Sequence, residues 1–368
     1  MGDLNWILCS GDRDILLELA TRVRKVADSP RNQELKRRWY SHDECRGERP
    51  LLLTETDGGM EMVLPDFQPR CREEWARGQE YGLVNTLCHV ETIGDDWPVE
   101  PSIRTSWRLK ISDYGVPFHR TNPDAQEIRG AYHIDAVLRD LDSDFGKLKQ
   151  RTFEVDRPAS LAAKAFLEDL YRGILGVRMR GLPVWTLGMT GTAIQFVGLE
   201  GLMLKMYDQP EGLHKLMAFL SGQQLALLRW LECERLLSLN NADDYIGSGS
   251  RGYTHALPRP DTAPGAPIRI KDMWGLLESQ ETVSVGPDQY AEFVFPYENA
   301  IAKELGRVYY GCCEPVNNRW HVLEKMANLK RISVSPWCDQ AFMAEALGNR
   351  YVFSRKPNPS LISTEIFA

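Results

Sequence analysis

The chain has 368 residues, 43% of them hydrophobic and 26% charged, with a formal net charge of −7 from 44 basic and 51 acidic side chains. That is an ordinary globular composition, long enough for one large core or two medium ones, and it lacks the basic excess that nucleic-acid binding requires. Eight cysteines (Cys9, Cys45, Cys71, Cys88, Cys233, Cys312, Cys313, Cys338) are too sparse for a disulfide scaffold, and no apolar run approaches a membrane span. No signal-peptide pattern opens the chain, so reduced thiols in a cytoplasmic protein are the expectation.

Residues 11–46 read as helical, with Ile15, Leu16, Leu19 and Val23 as an apolar stripe and Pro30 as an interruption. Leu51-Leu-Leu-Thr-Glu55, closed by Asp57-Gly58-Gly59, reads as a buried strand and turn that leaves Glu55 at the strand end. Residues 60–160 carry many prolines, Trp75, Trp97 and Trp107, and little periodicity. They suggest a peripheral layer of short strands and loops, with a strand within 101–112. His119, His133 and Arg120 lack clustered partners and suggest no site.

From about residue 160 the pattern becomes regular. A helix is expected from Pro158 to Gly173, a strand at 181–187, a long helix opened by Pro210, and a strand leading to Asp243 and Asp244. Residues 247–270, rich in Gly, Pro and Ser, form a long loop of the kind that is often functional. Trp274–Gln280 is the next strand, and a helix from Pro287 to Gly306 follows. Strands at 307–312, 331–335 and 350–354 then alternate with helices at 317–327 and 339–347. Apolar strands alternating with helices argue for a parallel sheet covered by helices.

Polar and reactive residues recur at the ends of these strands: Glu55, Asp243 and Asp244, Glu278 and Gln280, Cys312 to Glu314, Trp337 and Cys338, and Arg355 to Asn358, including Lys356. In a (β/α)8 barrel that is where a site assembles. Two readings of Cys312-Cys313-Glu314 stand side by side. Thiolates and a carboxylate select zinc, with Cys312 and Glu314 on one strand face. Alternatively, the thiols are small buried hydrophobes beside a turn carboxylate. Asp243 and Asp244 are acid–base groups or a solvated turn, and His255 is a ligand, an acid–base group or a plain loop histidine. Gly247-Ser-Gly-Ser-Arg-Gly252 matches a dinucleotide fingerprint by letters, but no amphipathic helix follows to hold phosphates.

Trp274-Gly-Leu-Leu-Glu-Ser-Gln-Glu281, followed by Gly286-Pro-Asp-Gln-Tyr-Ala-Glu-Phe-Val-Phe-Pro-Tyr297, resembles the uroporphyrinogen decarboxylase superfamily. Leu182-Pro-Val-Trp185, Tyr310-Gly-Cys-Cys-Glu314 and Arg355-Lys-Pro-Asn-Pro359 with Leu361 extend the resemblance over about residues 180–362. The whole resembles its corrinoid-linked, O-demethylase-like methyltransferase branch.

The resemblance implies a (β/α)8 TIM-type barrel, with residues 1–48 as a helical extension and 49–368 as one barrel domain carrying insertions at about 60–160 and 247–270. It implies methyl transfer from a small methylated substrate to a corrinoid-binding partner protein, assisted by zinc. Cys312, Cys313, Glu314 and Cys338 would be the metal set, and Glu278, Gln280 and Asp244 the catalytic set. Glu55, Trp185, His255, Trp337, Lys356 and Asn358 would line the substrate site. A homodimer is compatible with this reading; membrane and nucleic-acid partners are not expected.

The chain departs from the pattern in three places. Gly311 stands where the branch has the histidine of its His-x-Cys motif, so only Cys313 matches directly. Glu55-Thr-Asp-Gly58 replaces the Arg-Gln-Ala-Gly loop of true decarboxylases, which argues against that activity. The seventh family strand falls near residue 351, so an incomplete or truncated barrel is expected. The alternatives are a metal-independent decarboxylase or lyase using Asp243, Lys356 and nearby arginines, and a non-catalytic barrel.

Overall fold

The computed structural model describes residues 8–56, 63–121, 133–358 and 360. Its first elements are α1 (Ser10–Ala27), α2 (Pro30–Asp43) and α3 (Glu74–Cys88). Ser29 caps α2 and accepts from the Asn32 N–H, with Pro30 in the first turn where its missing N–H costs nothing. Short strands β1 (Ser102–Ser106), β2 (Arg108–Ile111), β3 (His119–Thr121) and β4 (His133–Asp135) follow, then α4 (Leu141–Asp144), β5 (Phe153–Asp156) and α5 (Arg157–Leu170).

Next come β6 (Gly176–Arg180), α6 (Thr190–Val197), α7 (Leu199–Asp208), the long α8 (Pro210–Cys233), and a hairpin of β7 (Tyr245–Gly247) and β8 (Ser250–Arg251). The chain continues with β9 (Trp274–Leu277), α9 (Pro287–Phe293), α10 (Phe295–Ala302), β10 (Arg307–Tyr310), α11 (Trp320–Leu323), β11 (Leu329–Val334), α12 (Gln340–Leu347) and β12 (Val352–Arg355).

The fold is mixed α/β. Strands β9, β10, β11 and β12 form a four-stranded parallel sheet in sequential order, each joined to the next through helices. Every residue of β9 is buried, as a parallel strand covered on both faces requires. A second parallel pair, β1 with β6, aligns Arg104 with Arg178. The β2–β5, β3–β4 and β7–β8 pairs are antiparallel. The main core runs from α6 and α8 through α9 to α12. A separate core joins α1, α3 and α5 through Leu16, Leu83 and Leu167. Helix α2 is tied inward by its last residue: Asp43 Oδ1 receives the buried Arg331 Nη2 of β11 at 2.9 Å.

Several sequence expectations need correction. Residues 51–56 are extended but pair with no strand, and Leu52 is 68% exposed, so this is not a buried strand. Asp96 and Asp95 side chains, rather than a ladder, hold the Leu52 and Thr54 N–H groups. The turn expected at Asp57-Gly58-Gly59 lies outside the described residues, as do Pro359 and Leu361. Residues 60–160 contain α3, seated by Asp12, which accepts from the Arg72 and Glu73 N–H groups.

The strand expected at 181–187 is instead β6, just upstream, and residues 236–244 form no strand. There the Asn240 side-chain amide takes both backbone groups of Trp274 and stands in for a strand neighbour. The single helix expected from Pro287 to Gly306 is two helices, because Pro296 removes an N–H and crowds the turn before it. Among the described residues, no helix is long and apolar enough to cross a membrane.

Candidate functional site

Two neighbouring regions hold the polar side chains. The first is a cavity of about 520 Å³ lined by β1, β6, the β7–β8 hairpin, β9 and the segments before them. Its charge pattern begins with the strand register. Arg104 and Arg178 sit opposite each other on parallel strands, an arrangement that repels unless acid is supplied. Asp243 and Asp244 supply it. Arg104 Nη2 lies 2.6 Å from Asp243 Oδ1 and 3.5 Å from Asp244 Oδ1. Arg178 Nη1 lies 3.2 Å from Asp243 Oδ1, and its Nη2 lies 3.6 Å from Asp244 Oδ2. Asp244 is buried and faces the cavity. Burial raises its pKa above the usual carboxylate range, with Asp243 adding to the effect and the arginines opposing it.

Arg180, two residues beyond Arg178 and so on the same strand face, also lines this cavity. Arg251, at the end of β8, enters from the hairpin. Its guanidinium lies 3.7 Å from the Trp97 ring, which in turn stacks on His89 at 3.8 Å. Glu55 lines the wall, but both its oxygens are engaged, by the Ser248 hydroxyl and the Gly249 N–H, each at 2.9 Å. Trp185 reaches Tyr245 Oη through its Nε1 at 3.1 Å.

The second region follows the ends of β9 and β10. Gly311, with φ of +97°, turns the chain so that Cys312 and Cys313 leave the strand with their Sγ atoms 3.6 Å apart. Burial, and then Cys313 beside it, push the Cys312 thiol up to about 12. Glu314 points the other way. It is fully buried, and its two oxygens accept the Ser279 N–H at 3.0 Å and the Cys312 N–H at 2.8 Å.

Beneath Ser279 runs a bonded chain: Ser279 Oγ to Tyr310 Oη at 2.9 Å, Tyr310 to Tyr290 at 2.9 Å, and Tyr290 Oη to Glu298 at 3.0 Å. Arg319 closes it on Thr282 and Ser279. Glu278 is walled by Gly188, where a Cβ would come within 2.8 Å of Glu278 Oε1. Burial, then the charges of Glu281 and Glu314, raise its pKa to about 8.

The sequence-predicted residues therefore divide. Asp244, Glu55 and Trp185 share the cavity. Glu278, Gln280, Cys312, Cys313 and Glu314 meet at the strand ends; the Gln280 N–H donates to Glu278 at 3.2 Å. Cys338 is apart, its thiol accepting from the Val316 N–H at 3.3 Å. His255 stacks on Tyr40 of α2 at 4.0 Å and pairs with Glu44, away from the cavity lining. Trp337 is 69% exposed and lines no part of the cavity. Lys356 bonds Ser333 and Tyr309, and Asn358 accepts from Ser360.

As a zinc centre, this arrangement offers two thiols and, among the described residues, no third donor grouped with them. Glu314 is spent on backbone N–H groups and Cys338 on Val316. Among the described residues, no three His, Cys, Asp or Glu side chains are grouped to hold an ion. Sequence reasoning missed Arg104, Arg178, Arg180, Arg251 and Trp97. The only local signal was Arg178-x-Arg180, whose period of two puts both on one strand face. No family model, no curated protein and no solved structure matches the chain.

Proposed function

We propose that the chain is an enzyme on a (β/α)8-type scaffold, and that the 520 Å³ cavity is where it binds a small molecule and moves a proton through Asp244. The reaction class is that of a lyase or decarboxylase. The sequential strand–helix order of β9 to β12, the parallel β1–β6 pair and the cavity lined from both support the scaffold. The observation that carries the chemistry is a buried carboxyl group facing a cavity of ligand size, flanked by the guanidinium groups of Arg104 and Arg178. Burial favours the protonated form of Asp244, and the two cations stabilise its conjugate base, so it is placed to give and retake a proton.

The test is a screen of carboxylic acids and their hydroxy and keto derivatives, followed by mass spectrometry and carbon dioxide release. Turnover that falls at least about 100-fold in Asp244→Asn is expected from the loss of an acid–base group. Turnover surviving in Asp244→Asn would refute the assignment.

A second reading is favoured by the Cys312–Cys313 pair beside Glu278. It is methyl transfer from a small methylated donor to a corrinoid-binding protein, with zinc. Purified protein containing zinc that Cys313→Ser loses, together with methylation of an added corrinoid protein, would favour it. Metal content unchanged in Cys313→Ser would count against it.

A further inference from the structure

We infer that the cavity is a carboxylate site, and that Arg251 and Arg180 clamp the two acid groups of a small organic dicarboxylate against the Trp97 side of the wall. This rests on the cavity being the ligand site, as proposed above, and adds the class of ligand.

The starting point is the state of Arg251. It is only 5% exposed, yet among the described residues its side chain has no salt bridge or hydrogen bond, and its Nε is buried without an acceptor. Leaving a buried guanidinium N–H without an acceptor is costly, because it loses water and gains nothing in return. The other buried arginines share an orphan Nε, but their Nη groups are answered. Arg331 reaches Asp43, Ser250 and two backbone carbonyls, and Arg319 reaches Thr282 and Ser279. Arg251 has the face of Trp97, at 3.7 Å, and the Tyr245 ring farther off at 6.0 Å, and the Trp97 contact occupies the plane of the cation rather than its edge. The stack on Trp97 and His89 fixes the guanidinium and leaves its N–H edge for a planar acceptor.

The neighbouring carboxylates do not fill that role. Glu55 is bound to Ser248 and Gly249, and Asp243 to Arg104 and Arg178. Arg180 is the second uncommitted cation of the wall, with no ion pair among the described residues. Arg104 acts electrostatically on both Arg180 and Arg251, so the three form one positive field. With the paired Arg178 and Asp243 included, Arg104, Arg178, Arg180 and Arg251 still outnumber Glu55, Asp243 and Asp244, which leaves an excess of positive charge for an anion to neutralise. The wall also carries apolar side chains, among them Val184, Ile246 and Leu276, which suit a hydrocarbon body between two acid groups.

The test is isothermal titration of the full chain with benzene-1,2-dicarboxylate and succinate, with succinamide and inorganic phosphate as controls. Both dicarboxylates are expected to bind with an affinity that falls with salt, succinamide to show no heat, and phosphate to bind at least tenfold more weakly. Arg251→Gln is expected to weaken dicarboxylate binding roughly 10- to 100-fold, the loss of a charge-assisted pair. Arg251→Lys should recover only part of it, because a point charge cannot reproduce the fork. Arg180→Gln, at a more exposed position, repeats the test if Arg251→Gln fails to fold, with a loss of several-fold expected.

Asp244→Asn is expected to bind dicarboxylates at least as well as the parent. The anion site and the proton-transfer role therefore fail separately. Wild-type protein that binds neither dicarboxylate, or folded arginine variants that bind like wild type, would overturn the inference. Phosphate binding as tightly as the dicarboxylates would overturn the carboxylate assignment.

Discussion

Glu314→Gln tests whether the carboxylate at the end of β10 is an internal brace. Its two oxygens accept the N–H groups of Ser279 and Cys312 at 3.0 and 2.8 Å, and it has no exposed surface. Glutamine has the same shape, so no cavity opens. Its carbonyl oxygen satisfies one N–H, but its NH2 faces the other, which loses its acceptor. Losing one charge-assisted bond and setting donor against donor costs about 3 kcal/mol. For 368 residues that is a drop of about 4 °C in melting temperature.

Urea denaturation and thermal melting of purified protein, with Cys313→Ser as an exposed control expected to stay within about 0.5 kcal/mol of the parent, measure it. If Glu314 were a metal ligand instead, the variant would lose bound metal while the metal-free proteins unfolded alike. A Glu314→Gln protein within about 0.5 kcal/mol of the parent would refute the brace.

Glu278 gives a pH prediction. Its folded pKa of about 8 lies above the ordinary glutamate value, because burial and the nearby carboxylates favour the protonated form. The unfolded chain therefore releases this proton first, and native stability falls as pH rises from about 4.5 to about 8, then levels. Glu278→Gln removes that dependence, so the wild type should lose about 3 to 5 kcal/mol relative to it across the window. Parallel stability curves for the two proteins would count against a buried protonated Glu278. Asp43→Ala leaves the buried Arg331 cation without its carboxylate, at a cost of about 3 to 5 kcal/mol. Hydrogen exchange in α2 should accelerate, and unchanged protection there would show that the helix is held by other contacts.

How much was legible in the sequence depended on how local the cause was. Helices opened by Pro158, Pro210 and Pro287 were readable, since a proline in the first turn acts on its own residue and the next, whereas Pro30 was read only as an interruption. Strands β9 to β12 were readable because buried parallel strands are short apolar runs between helices. Helix α3 was not. Gly78 and Gly82 lower its propensity, and its start is fixed from elsewhere, by Asp12 and by Glu80, which holds the Arg70 and Cys71 N–H groups.

The candidate site follows the same division. The sequence by itself determined that carboxylates and thiols follow the ends of β9 and β10, because residue order along a strand sets where its end falls. Only the tertiary structure decided what each side chain faces. It turned Glu314 inward onto two N–H groups and drew Cys338 away to Val316. It also gathered Arg104, Arg178, Arg180 and Arg251 around Asp243 and Asp244 from segments far apart in the chain. The physical reason is that desolvation and charge pairing depend on distance in space. Arg251 reads as an ordinary loop arginine until the fold lays it on Trp97 and buries its Nε without an acceptor.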